Sequence, residues 1–245
     1  PYTEKIVKKI NCNYLTYGFN NDADLNIKEY SLGINQSSAV LNYNNKHINL
    51  ETQLIGKFNL YNLSAAILCG IKLGINENSI IESIKQFSNV PGRLEKYNYK
   101  NNTAIIDYAH TPDAFSNIFK NISDLKNKGQ KIITVFGCGG NRDKSKRELM
   151  GEIANNYSDY IYITNDNPRF EDEDQIIDNI CNGISNKNYE IIKDRKKAII
   201  SALNNDNCIV LILGKGVEKY QIIKNKKINH SDIKIVKDHI NENRN

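Results

Sequence analysis

The sequence predicts an α/β protein whose second half is a doubly wound, mostly parallel sheet. Three observations carry this. From residue 104 onward, short apolar runs alternate regularly with helical patterns. One of those runs, Cys208 to Leu213, is apolar throughout, as suits a central strand covered on both faces. Three of the runs also end in polar loops: Gly137-Cys138-Gly139-Gly140 with its charged sequel, Asn165-Asp166-Asn167-Pro168-Arg169, and Gly214-Lys215-Gly216-Val217-Glu218. Loops at the carboxyl ends of strands in one open sheet converge on one crevice.

Taken in order, residues 27–34, 38–43 and 47–53 read as short strands separated by Asn-rich turns. Leu60, Leu63, Ile67 and Ile71 then share a helical face, and Gly74 ends that helix. A second helix over 79–87 places Ile80, Ile81, Ile84 and Phe87 inward. The turn Val90-Pro91-Gly92-Arg93 marks a domain boundary, giving domains of 1–92 and 93–245. The first is expected to lack most of the sheet its helices belong to, and the second to fold alone. Beyond the boundary, strands are predicted at 104–106, 132–136, 160–164, 190–192 and 209–213. Helices fall at about 112–125, 145–155, 174–184, 195–203 and 232–239.

The chain of 245 residues is 40% hydrophobic and 25% charged, the balance of an ordinary globular protein with ample core. No run approaches the roughly 18 apolar residues of a membrane span, so a cytoplasmic location is expected, with no membrane partner. The net charge of +5 is carried by dispersed lysines, without the basic stripe and aromatic platforms of a nucleic-acid site. Five scattered cysteines without paired spacing predict reduced, buried thiols and no metal ligands. The start at Pro1, in no recognisable element, suggests a chain cut from something longer.

Three glycines fall within four residues at 137–140, between a strand and a helix. Such a turn lets backbone N–H groups approach an anion, with Arg142 and Lys144 adding charge at the mouth. The competing reading is a tight turn with solvated charges. Asn59 and Asn62, three apart near a helix start, could present amides to a purine, although on spacing alone a capping role is preferred.

Six motifs in order carry a resemblance. They are Gly56-x-Phe58-Asn59-x-x-Asn62-x-x-Ala65-Ala66; Pro91-Gly92-Arg93-x-Glu95; Asp107-Tyr108-Ala109-His110-Thr111-Pro112-Asp113; Phe136-Gly137-Cys138-Gly139-Gly140-x-Arg142-Asp143; Asp166-Asn167-Pro168-Arg169; and Gly214-Lys215-Gly216-x-Glu218-x-Tyr220-Gln221. With these the chain resembles the Mur ligases of peptidoglycan synthesis, and among them the diaminopimelate-adding type. The match is dense over 56–221, and Tyr17-Gly18 extends it weakly towards the N-terminus. Val217 stands where the family usually has histidine, Asn141 replaces an aspartate and Glu148 a proline.

The resemblance implies a three-domain enzyme, of which this chain holds an incomplete end part of the central ATPase domain, followed by the Rossmann-like C-terminal domain that binds the amino acid. The implied partners are ATP as co-substrate, UDP-N-acetylmuramoyl-dipeptide, meso-diaminopimelate and the N-terminal domains of the same enzyme. The implied reaction is amide formation through an acyl phosphate. By the family pattern Asn62, Arg93, Asp107 and His110 border the nucleotide. Arg142, Asp166, Asn167, Pro168, Arg169, Gly214 and Glu218 hold diaminopimelate. No catalytic residue is assigned. No Gly-x-x-x-x-Gly-Lys-Thr phosphate loop occurs in this stretch. Ligands for Mg2+ are expected upstream, and this stretch alone is not expected to be a competent ligase.

Diaminopimelate carries a carboxylate and an ammonium on its distal carbon, and Arg169 and Glu218 offer the complementary charges. Lysine would leave the guanidinium unpaired, at about 2–5 kcal/mol, and is expected to be rejected by roughly 10⁴-fold. A lysine-adding relative is therefore disfavoured. An NAD-dependent dehydrogenase fails because the glycine loop lacks the third glycine at the required spacing. A non-catalytic Rossmann-like ligand-binding domain, or a remnant of one, remains the alternative.

Overall fold

The computed structural model describes residues 3–186 and 188–243. They divide into two compact units, Pro1–Ser88 and Asn89–Asn245.

The first unit runs α1 (Thr3–Val7), β1 (Tyr17–Gly18), β2 (Leu25–Ser31), β3 (Ser37–Tyr43), β4 (Lys46–Thr52), α2 (Lys57–Lys72) and α3 (Glu77–Gln86). Its sheet has the order β1-β2-β3-β4, with β2, β3 and β4 antiparallel. The alternation of β3 and β4 is the sequence pattern made visible: Ala39, Leu41, Ile48 and Leu50 point to one buried face. Leu60, Leu63 and Ile67 of α2 and Ile84 of α3 cover that face. The expectation that these helices lack most of their sheet is therefore corrected, since they pack on four strands of their own. Two inward assignments also fail: Phe87, at the α3 C-cap, is 45% exposed, and Cys69 is exposed. Both follow an otherwise correct periodicity, but only one stripe of each helix meets the sheet. Cys12 is exposed and Cys181 half-buried, so of the five thiols only Cys138 and Cys208 are buried as expected.

The second unit begins β5 (Glu95–Tyr99), β6 (Asn102–Asp107), α4 (Pro112–Leu125), β7 (Lys131–Phe136), α5 (Ser145–Tyr157) and β8 (Tyr160–Ile163). It continues α6 (Glu173–Cys181), β9 (Tyr189–Ile191), α7 (Arg195–Leu203), β10 (Cys208–Leu213), β11 (Tyr220–Ile223), β12 (Lys226–Asn229) and α8 (Asp232–Glu242). The sheet order is β5-β6-β10-β7-β8-β9, parallel except for the antiparallel edge strand β5. As its composition predicts, β10 is central and wholly buried. Cys208, Val210 and Ile212 face a core shared with Ala198, Ile199 and Ala202 of α7 and Val236 of α8. The other face is aromatic, with Phe115 of α4 5.1 Å from Phe136 and 5.9 Å from Phe119 between ring centroids.

In the second unit, strand β5 and the β11–β12 hairpin have no counterpart in the sequence expectation, nor have α1 and β1 in the first. Strand β5 reads Glu-Lys-Tyr-Asn-Tyr, too polar to signal a strand, and it is held by antiparallel pairing to β6. The hairpin β11–β12 is half-buried to exposed and so carries no apolar alternation. It nevertheless matters, because it closes over the loop after β8.

Helix ends are fixed locally. Thr111, Asp172, Asp194 and Ser231 cap α4, α6, α7 and α8 by accepting backbone N–H groups, and Pro112 opens α4 at N1. Beneath α7 and α8 lies a fully buried pair. Arg195 Nε and Nη2 donate to Asp232 Oδ1 and Oδ2 at 2.9 and 2.8 Å, and Nη2 also reaches Leu213 O at 2.9 Å. Burial alone would raise the Asp232 carboxyl, but Arg195 and His230 outweigh it and hold it well below the carboxylate range.

The unit Asn89–Asn245, expressed by itself, is expected to give one cooperative urea transition. A gradual, non-cooperative loss of its far-ultraviolet dichroism would show that its core requires the first unit.

Candidate functional site

The parallel strands of the second unit deliver their following loops to one edge, and glycines let those loops approach more closely than side chains would permit. A Cβ on Gly137 would stand 2.0 Å from Thr164 O, and one on Gly140 2.0 Å from Pro168 O. A Cβ on Gly92 would meet Val217 N at 2.5 Å, and one on Gly216 would meet Tyr108 Cβ at 2.8 Å. The glycines of the 137–140 turn thus admit the backbone of the loop after β8. Two N–H groups at the end of this turn are already engaged: Gly140 N donates to Asn167 O at 2.9 Å and Asn141 N to Glu171 Oε2 at 2.9 Å. Cys138 in this turn is buried, and burial pushes its thiol up to about 12, so it is not a nucleophile.

Of the residues assigned to the amino acid, Asp166, Asn167, Pro168, Arg169, Gly214 and Glu218 come together. Gly214, at φ +112°, donates its N–H to Asp107 O at 3.0 Å and lets Asp166 Oδ2 approach to 3.0 Å of where a Cβ would be. Asn167 is the junction. Its carbonyl accepts from Arg169 Nη1 at 3.3 Å, and its Nδ2 donates to Glu218 Oε2 at 3.1 Å. Arg169 is half-buried at φ +54°, and its Nη1 also reaches Gly140 O at 2.9 Å. Its backbone is gripped on the other side by the hairpin, with Arg169 N donating to Ile222 O and Lys224 N to Arg169 O. Gln221 Nε2 ties the hairpin to the carbonyls of Asn165 and Asp166. Arg142 is exposed; its Cγ and Arg169 Nη1 lie 3.7 and 3.0 Å from where a Cβ on Gly139 would stand.

The residues assigned to the nucleotide divide between the units. Arg93, Asp107 and His110 lie at the start of the second. Asp107 is buried, and Leu94 N and Ala109 N donate to its two oxygens at 2.8 and 2.7 Å. Burial raises its carboxyl, against the pull of those N–H groups and of Arg93. Its role in the structure is to hold two loop turns. The exposed Arg93 guanidinium sits 5.1 Å over the Tyr108 ring, and that ring lies 4.7 Å from His110, whose Nδ1 meets Tyr108 O at 2.8 Å. Lys146 Nζ donates to His110 O at 2.7 Å. Asn62 belongs to the first unit, where it is exposed on α2 and donates to Asn59 Oδ1 at 3.1 Å. Neither asparagine is a cap, because Gly56 occupies that position and Asn59 Nδ2 donates to Ile55 O at 2.8 Å. Among the described residues no group of three or more His, Cys, Asp and Glu could hold a metal ion.

Two residues without a role in the sequence argument support the site. Arg147 of α5 is fully buried and grips Glu171 with Nη1 and Nη2, both at 2.8 Å, while Nη2 also donates to Gly139 O. Arg147 is the largest influence lowering the Glu171 carboxyl to about 2. Lys215 is wholly buried at the centre of the third loop. A cation inside a helix and a lysine in a glycine loop read as solvated charges, so neither signalled burial. Val217, the departure from the family pattern, is 51% exposed.

The family model described as Mur ligase, glutamate ligase domain, matches residues 92–216, and that described as Mur ligase middle domain matches residues 1–70. The chain belongs to the Mur ligase family. It is 43% identical over 240 residues to a UDP-N-acetylmuramoyl-L-alanyl-D-glutamate--2,6-diaminopimelate ligase of Aquifex aeolicus, covering 97% of this chain and 49% of that protein. Identity is 38% over 235 residues to the ligase of the same description from Chlamydia pneumoniae, with 95% and 48% covered. A solved structure of such a ligase superposes with a TM-score of 0.73 at 29% identity, over all of this chain and 52% of that one. The chain thus spans about half the length of the curated relatives it matches.

Gly140→Ala is expected to destabilise the second unit by about 1–3 kcal/mol or more, because the obstructing atom is a backbone carbonyl and cannot swing aside; urea midpoints of the two proteins measure this. Stability should also fall in acid. The folded Glu171 pKa is depressed, so its contribution is complete above its ordinary 4.5 and is lost as pH falls towards about 2. Melting temperature measured across that range should drop steeply in the wild type and less steeply in Glu171→Gln.

Proposed function

We propose that this chain is the amino-acid-binding part of an ATP-dependent ligase that adds meso-diaminopimelate to UDP-N-acetylmuramoyl-L-alanyl-D-glutamate. The observation that carries the reading is Asn167, which joins a guanidinium on one side to a carboxylate on the other. A pair of adjoining loops presenting both charges suits a carbon bearing a carboxylate and an ammonium, such as the distal carbon of diaminopimelate. The names of the relatives from Aquifex aeolicus and Chlamydia pneumoniae support the same substrate.

In the reaction, a carboxylate oxygen of the dipeptide takes the γ-phosphoryl group of ATP and ADP leaves. The amine of diaminopimelate then attacks the acyl carbon, phosphate departs and the nitrogen loses a proton. The contribution of this chain is to fix the amine and its carbon skeleton, which lowers the barrier by positioning. Arg142 and Arg169 face the carboxylates, and Asp166 and Glu218 face the ammonium. Arg93, Tyr108 and His110 offer a cation and two ring faces that fit a nucleotide. The phosphate-binding half of the ATP site and the Mg2+ ligands belong to sequence outside this stretch, in a cytoplasmic enzyme.

Discrimination against lysine should be smaller than an unpaired buried charge would give. Arg169 Nη1 keeps Gly140 O and Asn167 O as acceptors whether or not a carboxylate is present. What lysine forfeits is a charge-assisted hydrogen bond of about 1.5–3 kcal/mol, or roughly 10- to 150-fold. Calorimetric titration of the 245-residue chain with the two amino acids measures this. Arg169→Ala should bring the two affinities within a few-fold of each other. Equal binding of both by the wild type, or an unchanged preference in the variant, would refute the proposal.

A further inference from the structure

Lys215 lies in the Gly214-Lys215-Gly216 turn after β10, with no exposed surface. Its Nζ donates to Glu218 Oε2 at 2.9 Å, Asn167 Oδ1 at 3.1 Å and Asp166 Oδ1 at 3.3 Å. An ammonium has three donors, and here all three are used within the site. Two of the three acceptors belong to Asp166 and Glu218, the side chains read above as facing the ligand's ammonium, and the third to Asn167 between them.

The consequence is directional. Asn167 must turn its amide oxygen towards Lys215, where it also accepts from Ile222 N at 2.9 Å. That orientation points Nδ2 at Glu218 Oε2, the oxygen Lys215 also holds. Glu218 Oε1 and Asp166 Oδ2 are left without a hydrogen-bond partner among the described residues, and neither is a buried unsatisfied atom. Two carboxylates against one ammonium leave a single net negative charge with two accessible oxygens. Without Lys215 the carboxylates would repel each other and the Asn167 amide would be free to flip.

We infer that Lys215 is a positioning residue for the amino-acid substrate: its buried ammonium sets which oxygens of Asp166 and Glu218 meet the ligand, and so selects for an amino group at that end. It touches no substrate itself. The inference rests on the proposed amino-acid site.

The probes are meso-diaminopimelate and 2-aminopimelate, which share a carbon chain and both carboxylates but differ by one ammonium. Titrated into the 245-residue chain, the wild type should prefer diaminopimelate. Lys215→Met should weaken diaminopimelate by about 10-fold or more and bring the ratio of the two affinities close to one. A merely structural lysine would weaken both ligands equally and leave the ratio intact, and that result would overturn the inference. Lys215→Arg keeps the charge but spreads its donors over a plane, so the fold should be retained while the ratio falls. The crystal structure of each folded variant gives a readout independent of ligand: the Asp166, Asn167 and Glu218 side chains should be rotated from their wild-type positions. If they stay in place, Lys215 does not position them. Failure of both variants to fold would also overturn the inference, by assigning Lys215 to holding the unit together. Should the wild-type chain bind neither ligand, the amino-acid reading fails, while the variant structures still decide whether Lys215 orients its neighbours.

Discussion

The site depends on one steric constraint: main chain lies directly against main chain at the carboxyl edge of the sheet. Thr164 O and Pro168 O occupy the space where side chains on Gly137 and Gly140 would be, and the 216–217 backbone does the same at Gly92. Contact at this range fixes the loops relative to the strands without help from side-chain packing. Polar groups can then be held on loops with the precision usually found on helices and strands. Gly140 N to Asn167 O and Gly214 N to Asp107 O are hydrogen bonds that exist only because the backbones are this close.

Upon that frame, buried charge does the orienting. Arg147 with Glu171, Arg195 with Asp232, and Lys215 with Asp166 and Glu218 form three cation–carboxylate groups within the second unit, the cations wholly buried. Burying ions is expensive, and an apolar replacement of equal volume is often as stable. Their placement suits orientation better than stability. Arg147 holds Glu171 and Gly139 O beside the glycine turn, Arg195 holds the end of β10 through Leu213 O, and Lys215 lies within the third loop. Each group fixes a stretch of loop whose neighbours carry candidate ligand contacts.

Much of this was legible in the sequence because it rests on local periodicity. Cys208 to Leu213 reads as a central strand for the same reason that it is one, and the loops after β7, β8 and β10 follow from the alternation of elements. What stayed hidden depends on tertiary partners. Glu-Lys-Tyr-Asn-Tyr becomes β5 through its pairing with β6, and the β11–β12 hairpin through mutual pairing over the Asp166–Arg169 loop. The glycine turn reads as a ligand cradle, whereas the space above it belongs to another loop; the sequence marks where backbone must approach without saying what approaches. Lys215 looks like a surface lysine because burial of an ammonium depends on acceptors drawn from residues nearly fifty positions away.

Arg169 holds a left-handed backbone, φ +54°, that a branched or bulky residue would resist and glycine would adopt freely. Arginine at this position therefore costs stability relative to glycine. The chain accepts backbone strain, anchored by Ile222 O and Lys224 N, to keep a guanidinium at the loop junction. Selection for robustness alone would drift this position towards glycine or asparagine. An arginine retained at such a position is therefore kept against the preference of its own backbone.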